Sequence, residues 1–263
     1  LAYILLNKSS QLRNPFDPLL NQEIKILRKN LWKDYKNNPP YYFIHLVSYK
    51  HIKWAIETIY LNNDSQSIEV QIKKLSKDIQ KIFKLVFRSQ EFKKILKETI
   101  QYKNLVERQW DQNKDFVFNY LEEVLGKEMP NLSLTVIIIH PKLKQGRVSS
   151  KKFIIWGHPE NWSNYTTVYL GHELLHVLFD YYKLPKNELS HAIIELISDN
   201  ELRIRLNQEG KYFREGRKHV GHSYLRKIEK QILPYWFRYL KNGERKNIYT
   251  LCKQLEKKVK IKK

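Results

Sequence analysis

The chain of 263 residues contains a single cysteine, Cys252. One thiol can form no disulfide within the chain, and it excludes a zinc site built from cysteine ligands. We therefore expect a reducing compartment, the cytoplasm. The chain begins with Leu1 rather than with methionine, so this expectation is also compatible with an N-terminal leader that has been removed.

Glycine and proline are scarce, at 8 and 9 residues, and long apolar runs are missing. No apolar run approaches the roughly 20 residues that cross a membrane as a helix, so we expect no membrane span. Hydrophobic residues nevertheless make up 42% of the chain, which predicts a folded core rather than a disordered chain. The frequent Lys, Glu, Leu and Ile predict an α+β fold that is mostly helical with a small mixed sheet.

Acidic residues are too few to balance the basic ones. The 27 Asp and Glu stand against 48 Lys and Arg, which gives a formal net charge of +21. Such a charge is typical of proteins whose partner is a nucleic acid, an acidic surface or an acidic substrate. Lysine outnumbers arginine 36 to 12, however, and the lysines are spread along the chain. Because base and phosphate recognition favours arginine, this pattern argues against a nucleic acid as the main partner.

The predicted secondary structure changes at Pro130, from helix to short strands. Residues 1–130 form a predicted helical N-terminal region, whose longest helical pattern runs over 66–127 with Gly126 as its C-terminal cap. Residues 131–263 form a predicted second domain that ends in helices. Its earlier elements are expected, in order, as a strand at 132–140, a loop at 141–150, a strand at 151–158, and helices at about 165–182 and 187–206.

The first of these two helices contains "HELLH", which comprises His172, Glu173 and His176. Residues four apart share one face of an α-helix, and two imidazoles one turn apart suit tetrahedral zinc. Glu173 projects beside such a metal, where it can hold a zinc-activated water and take its proton. The competing interpretation is a pair of helix histidines that are satisfied by hydrogen bonds within the core.

A catalytic zinc needs a third protein ligand. The next helix offers Glu195, which follows His176 after 18 residues and whose helix is otherwise apolar. A carboxylate is costly to bury there unless it is paired or binds a metal. Asp199 lies four residues further on, on the same face, and can accept the second ring N–H of a zinc-bound histidine. His191, on that face too, stays open as a rival ligand, as a supporting group, or as a helix-terminal histidine near solvent.

"HELLH" followed by "ELISD" (195–199) resembles the gluzincin metallopeptidases, the zincin group that contains thermolysin-like and aminopeptidase-N-like enzymes. The Glu-x-x-Ser-Asp form is similar to the thermolysin-like version, and the 18-residue gap is similar to the aminopeptidase-N-like version. The resemblance covers about residues 150–205 and implies a zincin-like catalytic domain. It implies zinc ligands at His172, His176 and Glu195, a general base at Glu173, and an orienting role toward His172 for Asp199.

The chain departs from both versions. It lacks the Gly-x-Met-Glu-Asn exopeptidase motif, since its only methionine is Met129, and Ile194 stands where thermolysin-like enzymes carry Asn. The sequence therefore fits a distinct small gluzincin. The resemblance also implies an antiparallel edge strand just before the first zinc helix, to which the substrate backbone adds as a further strand. "KKFIIW" (151–156) stands in that position.

A zinc peptidase also needs a donor that stabilises the tetrahedral intermediate opposite the metal. The family uses a His or Tyr from beyond the third ligand. Candidates here are His219, His222 and Tyr224 in "KHVGHSYL", and Tyr212 before it. His222 ranks first and Tyr224 second. For each one singly, the competing interpretation is a surface or packing residue.

These features predict a zinc-dependent peptidase that acts on a peptide or protein substrate, acidic or anionic to match the positive charge. Zinc is the expected cofactor and Glu173 the expected general base. One alternative is a zincin scaffold that works by binding alone, although the presence of both Glu173 and Asp199 argues against it. The other is a basic helical nucleic-acid-binding protein with a structural zinc, whose affinity would fall steeply with salt.

Overall fold

The computed structural model describes residues 88–150, 153–242 and 246–259. The chain divides into two compact units, Leu1–Lys97 and Glu98–Lys263. The second unit holds every feature described below except the first two turns of the long helix α1. The helical region predicted for residues 1–130 lies largely outside the described residues, so the division predicted at residue 130 stays a prediction.

Helix α1 (Gln90–Leu125) precedes the sheet. Its C-terminal half buries Val117 and Leu121 in the main core, as the recurrence of apolar residues every three or four positions requires. The helix ends at Gly126, which takes a φ of +62° and donates its N–H to the carbonyl of Glu122 at 2.9 Å. The predicted helix and its glycine cap are thus confirmed for the part of 66–127 that is described.

A three-stranded mixed sheet follows, made of β1 (Thr135–Ile138), β2 (Gln145–Ser150) and β3 (Phe153–Gly157). The strand order is β1-β3-β2, in which β3 pairs in parallel with β1 and antiparallel with β2. Ile154 and Trp156 of β3 pack in a small core between the sheet and the helices. A helix-rich chain with a small mixed sheet agrees with the predicted α+β class.

Two predictions about this sheet were wrong. The segment 141–150, expected as a loop, contains β2, and "KKFIIW", expected at the edge, contains the central strand. The antiparallel edge strand is therefore β2. Gly146 allows β2 to pair beside Trp156 of β3. An added Cβ at Gly146 would lie 2.4 Å from Cζ3 of Trp156, so only a residue without a side chain leaves room for the indole. A glycine inside a strand marks such a close approach. The polar residues around Gly146 are also typical of a loop, which is why the strand was not predicted.

Helix α2 (Tyr165–Tyr181) carries "HELLH" and is buried along most of its length. Leu175 and Leu178 enter the main core, whereas Leu170 enters the small core beside the sheet. Packing on both sides fixes the rotation of the helix about its axis. The face between them, which includes His172, is left to meet the next helix.

Helix α3 (Glu188–Glu195) continues into a π-helical segment (Leu196–Leu202) and then into α4 (Arg203–Asn207). The predicted helix is confirmed in extent, but its middle turn is wider than an α-turn. Such π-helical turns are rare, and they are frequently found at functional sites. Here the wide turn starts directly after Glu195 and includes Asp199.

A short hairpin of β4 (Arg214–Glu215) and β5 (Lys218–His219) precedes the C-terminal helices α5 (Arg226–Leu240) and α6 (Ile248–Glu256). Both helices bury apolar residues against α3 in the main core, which confirms the predicted C-terminal helices. Within the described residues, every helix is too short or too polar to span a bilayer.

Candidate metal centre

The two histidines of "HELLH" converge. Nε2 of His172 lies 3.1 Å from Nε2 of His176. Two nitrogens bound to one tetrahedral zinc at about 2.0–2.1 Å would lie about 3.3 Å apart, close to the observed separation. Burial, followed by the positive charge of His172, lowers the pKa of His176 to about 3. The His176 ring is therefore neutral at neutral pH and keeps a lone pair for a metal.

Asp199 stands behind His172. Its Oδ1 lies 2.8 Å from Nδ1 of His172 and accepts a hydrogen bond from the Ser198 hydroxyl at 2.7 Å. Burial lowers the pKa of His172, but the charge of Asp199 and this hydrogen bond outweigh burial and raise the pKa to about 9. The contact holds the ring with Nε2 turned toward His176, which is the arrangement that the predicted orienting role needs.

Glu173 lies on the side of α2 that meets the edge strand. The residue is only 8% exposed, and burial raises the pKa of its carboxyl above the ordinary range. A hydrogen bond from the backbone of Val148 in β2 opposes this effect. The predicted general base therefore lies against the edge strand, beside the histidine pair.

Glu195 is fully buried, and its carboxylate is held by the loop that precedes α5. The backbone N–H of His222 donates to Oε1 at 2.9 Å and to Oε2 at 3.0 Å, and Nδ1 of the His222 ring also contacts Oε1. Gly221 allows this approach, because it has a φ of +77° and an added Cβ would lie 2.3 Å from Oε2 of Glu195. The hydrogen bond to Glu195 raises the pKa of His222.

Five donors make up what we call the donor cluster, namely His172, His176, His191, Glu195 and His222. Within the described residues these donors form two groups, and in each group the ligand atoms lie within 4.8 Å of one another. The first group is His172, His176 and His191, and the second is His191, Glu195 and His222. The structure thus brings the predicted ligands His172 and His176 together. Glu195 belongs to the second group, where its Oε1 lies 3.9 Å from Nε2 of His191. The predicted ligand set stays a prediction.

Two of the four candidate oxyanion donors adjoin the donor cluster. His222 belongs to it, with half of its side chain exposed. Tyr224 is 60% exposed, and its hydroxyl lies 3.4 Å from Nδ1 of His191. Their ring centroids are 5.4 Å apart. Both are therefore placed where a bound substrate could reach them.

The other two candidates are placed differently. His219 is exposed on β5 and belongs to neither donor group. The hydroxyl of Tyr212 accepts a hydrogen bond from Nε1 of Trp236 at 2.9 Å and also contacts Glu201. Tyr212 is thus a packing residue between helices, which is the alternative to the role of oxyanion donor.

Comparison with protein-family models, with curated proteins and with solved structures found no match to this chain. The chemistry of the donors themselves must therefore decide which metal fits. Nitrogen and carboxylate donors without cysteine suit zinc, and imidazole nitrogens also suit copper, iron and nickel. Nε2 of His191 and Oδ2 of Asp199 are buried and have no hydrogen-bond partner among the residues that the structure describes. Buried polar atoms are normally satisfied, so these two are consistent with a place that a cation completes.

One buried ion pair, beside the loop that precedes α5, was not predicted from the sequence. Nη1 of Arg226 lies 2.9 Å from Oε2 of Glu229, which is fully buried in α5, and Nη2 donates to the carbonyl of Val220. Burial, and next the charge of Glu195, raise the pKa of Glu229 to about 8 against the opposing effect of Arg226. In the sequence the pair is typical of an exposed ion pair three residues apart on a helix. Its burial arises only when α5 packs under the loop.

A row of aromatic rings also leads to the donor cluster from the sheet. Tyr169 stacks on Trp156 with ring centroids 6.1 Å apart, and it lies 4.6 Å from Tyr165 and 6.1 Å from His172. Burial raises the pKa of the Tyr169 hydroxyl far above its ordinary range. Aromatic residues at helical spacing are usually core residues, so their spacing did not indicate that these rings flank the site.

Proposed function

We propose that this chain is a zinc-dependent peptidase. The observation that carries the proposal is the 3.1 Å approach of Nε2 of His172 to Nε2 of His176, with Asp199 fixing the first ring and Glu173 beside it. A histidine pair that served only core packing would have no need of a buried carboxylate on one ring and a second carboxyl at its side. The arrangement suits one cation and one proton acceptor.

The ligands proposed for zinc are His172, His176 and Glu195. When bound, zinc would polarise the scissile carbonyl and lower the pKa of a water molecule. Glu173 accepts the proton of the attacking water on its carboxylate and passes it to the leaving amine nitrogen. Its burial suits this role, because a raised carboxyl pKa brings the group closer to the pH at which it must both take and give a proton.

The proposal extends to a zincin-like catalytic domain of the gluzincin type. Its support is the pair of helices α2 and α3 that present the histidines and the acidic residues to each other, together with the antiparallel edge strand β2 beside Glu173. An extended peptide that adds to the outer edge of β2 would lie next to that carboxyl. His222, and after it Tyr224, are proposed to donate to the oxyanion.

The proposed substrate is a peptide or protein, and the net charge of +21 favours an acidic one. A chain with one cysteine forms no internal disulfide, which fits action in the cytoplasm. The proposal includes neither a membrane span nor a nucleic-acid partner.

Hydrolysis of quenched fluorescent peptides of mixed and acidic sequence tests the proposal. We expect cleavage by the zinc-loaded protein, a loss of about 10²–10⁴-fold in rate in Glu173→Gln, and unchanged zinc content in that variant. The matched control is Glu188→Gln, which changes an exposed residue in the first turn of α3. Equal rates for wild type and Glu173→Gln, or no cleavage at all by the zinc-loaded protein, would contradict a peptidase and favour a scaffold that binds without turnover.

A further inference from the structure

The donor cluster contains more metal-binding groups than one catalytic zinc uses. A catalytic zinc takes three protein ligands and keeps a further position for water or substrate. The cluster offers four histidines and a carboxylate, in two groups that share His191. Two donors are therefore surplus once a first metal has taken three.

His191 lies midway between the two groups. Its ring centroid is 4.9 Å from that of His176 and 5.0 Å from that of His222. Its Nε2 is buried and has no hydrogen-bond partner in the described part of the chain, although Oε1 of Glu195 lies only 3.9 Å away. A separation of 3.9 Å is too long for a hydrogen bond. It is also longer than the roughly 3.3 Å between two donors on one tetrahedral zinc, so the His191 ring would have to move toward Glu195 to share an ion with it.

The buried carboxylates around the cluster also favour the binding of a second cation. Glu173, Glu195 and Asp199 are all buried at the cluster. Of the two nearby guanidinium groups, Arg203 pairs with Glu215, and Arg226 pairs with Glu229, which is a further buried acid beside Glu195. Buried carboxylates need compensating positive charge. Histidines that bind a metal are neutral, so in the zinc-bound state the metal ions must supply that charge, and a single divalent ion supplies two charges toward these acids.

We propose that the cluster binds two zinc ions, the second held by His191, Glu195 and His222. The inference rests on the proposed function in taking His172 and His176 as donors to the first ion. Hydrolytic sites with two metals hold their ions about 3.5–4 Å apart. The two oxygens of Glu195 allow it to face both ions. His222 is then a ligand. Of the two residues proposed to donate to the oxyanion, this leaves Tyr224, whose hydroxyl lies 3.4 Å from Nδ1 of His191.

Zinc titration of the metal-free full chain tests this assignment without reference to activity. Protein stripped with a chelator is titrated with zinc in competition with a chromophoric chelator, and bound ions are counted by native mass spectrometry. We expect two equivalents for wild type and one for His222→Ala. The matched control is His219→Ala, three residues away on the exposed strand β5, which should keep two. Circular dichroism confirms that each variant is folded, and His222→Gln repeats the test with a larger side chain.

The outcomes separate the second ion from the peptidase itself. One equivalent in wild type, unchanged in folded His222→Ala, overturns the second site, and hydrolysis that depends on Glu173 would then still support the peptidase. Two equivalents in wild type and one in His222→Ala support the second site even if no peptide is cleaved. No bound zinc in wild type overturns both.

Discussion

Oδ1 of Asp199 lies 2.8 Å from Nδ1 of His172, and both side chains are almost completely buried. The contact joins the π-helical segment after α3 to the middle of α2. It fixes which ring nitrogen of His172 carries the proton toward the carboxylate, and so which nitrogen faces His176. The pair is therefore the link between the fold and the chemistry of the donor cluster.

Replacement of Asp199 by Asn should weaken zinc binding by about 10–100-fold, because the neutral amide no longer holds the Nδ1–H of His172. Zinc affinity is measured by chelator competition on the folded variant. Asp180→Asn, a change in the last turn of α2 at a residue paired with Lys186, should leave the affinity unchanged. Equal affinities for wild type and Asp199→Asn would show that the contact does not support a metal ligand.

Two glycines with similar backbone angles offer a matched comparison. Gly221 (φ +77°) lies against Glu195. At Gly216 (φ +55°), apart from its chain neighbours, no heavy atom of the described residues lies within 4 Å of an added Cβ. Each change to alanine should cost about 1–2 kcal/mol of unfolding free energy for the left-handed backbone. Gly221→Ala should cost more than Gly216→Ala and should also lower zinc affinity by about tenfold or more, since the loop must move away from the carboxylate.

Chemical denaturation and zinc competition on both variants measure these effects. If Gly216→Ala and Gly221→Ala lose the same stability and bind zinc equally well, the close approach to Glu195 has no role in holding that carboxylate. A large loss of affinity in Gly216→Ala would instead show that the hairpin acts on the site as a whole.

The local part of the site could be predicted from the sequence. His172 and His176 converge because helical spacing alone puts them on one face. Asp199 could be placed near them because a buried acidic residue needs a partner. The orientation of the Glu195 carboxylate could not be predicted, since it depends on a loop 26 residues further along the chain, at Gly221.

The sheet shows the same limit. The β-branched residues of β1 and β3 predicted two strands. The residues of neither segment predict that the two strands pair in parallel or that β3 is the central strand. The polar strand β2 was missed because its pairing partner, not its own composition, makes it a strand. Arg226 and Glu229 are comparable, because only tertiary packing buries them.

The metal-free protein should lose stability as the pH rises from 7 to 9. The folded pKa of His172, about 9, lies above its ordinary value of 6.5. The stability that comes from its protonated form is therefore fully present below pH 6.5 and is lost as the pH rises through 9. The expected loss between pH 7 and 9 is about 2 kcal/mol, measured by urea denaturation after treatment with a chelator.

The control for this pH dependence is the partner of the histidine. Asp199→Asn removes the charge that raises the pKa of His172, so the metal-free variant should show a much smaller change between pH 7 and 9. Zinc-loaded wild type should also show a smaller change, because the metal replaces the proton. A decline of equal size in metal-free wild type and in Asp199→Asn would assign the pH dependence to other groups.

Cys252, which lies in the main core, should report zinc binding. The residue is 2% exposed in α6, and burial raises the pKa of its thiol to about 12. Iodoacetamide at pH 8 should therefore react only after the core opens. A ligand at 100 times its dissociation constant lowers the unfolded population about 100-fold, so zinc at that level should slow the reaction by about that factor. Mass spectrometry follows the reaction, and His176→Ala, which lacks a ligand of the first ion, should show weaker protection by zinc. Rapid alkylation of folded, zinc-loaded wild type would mean that Cys252 is reached by local opening that the metal does not control.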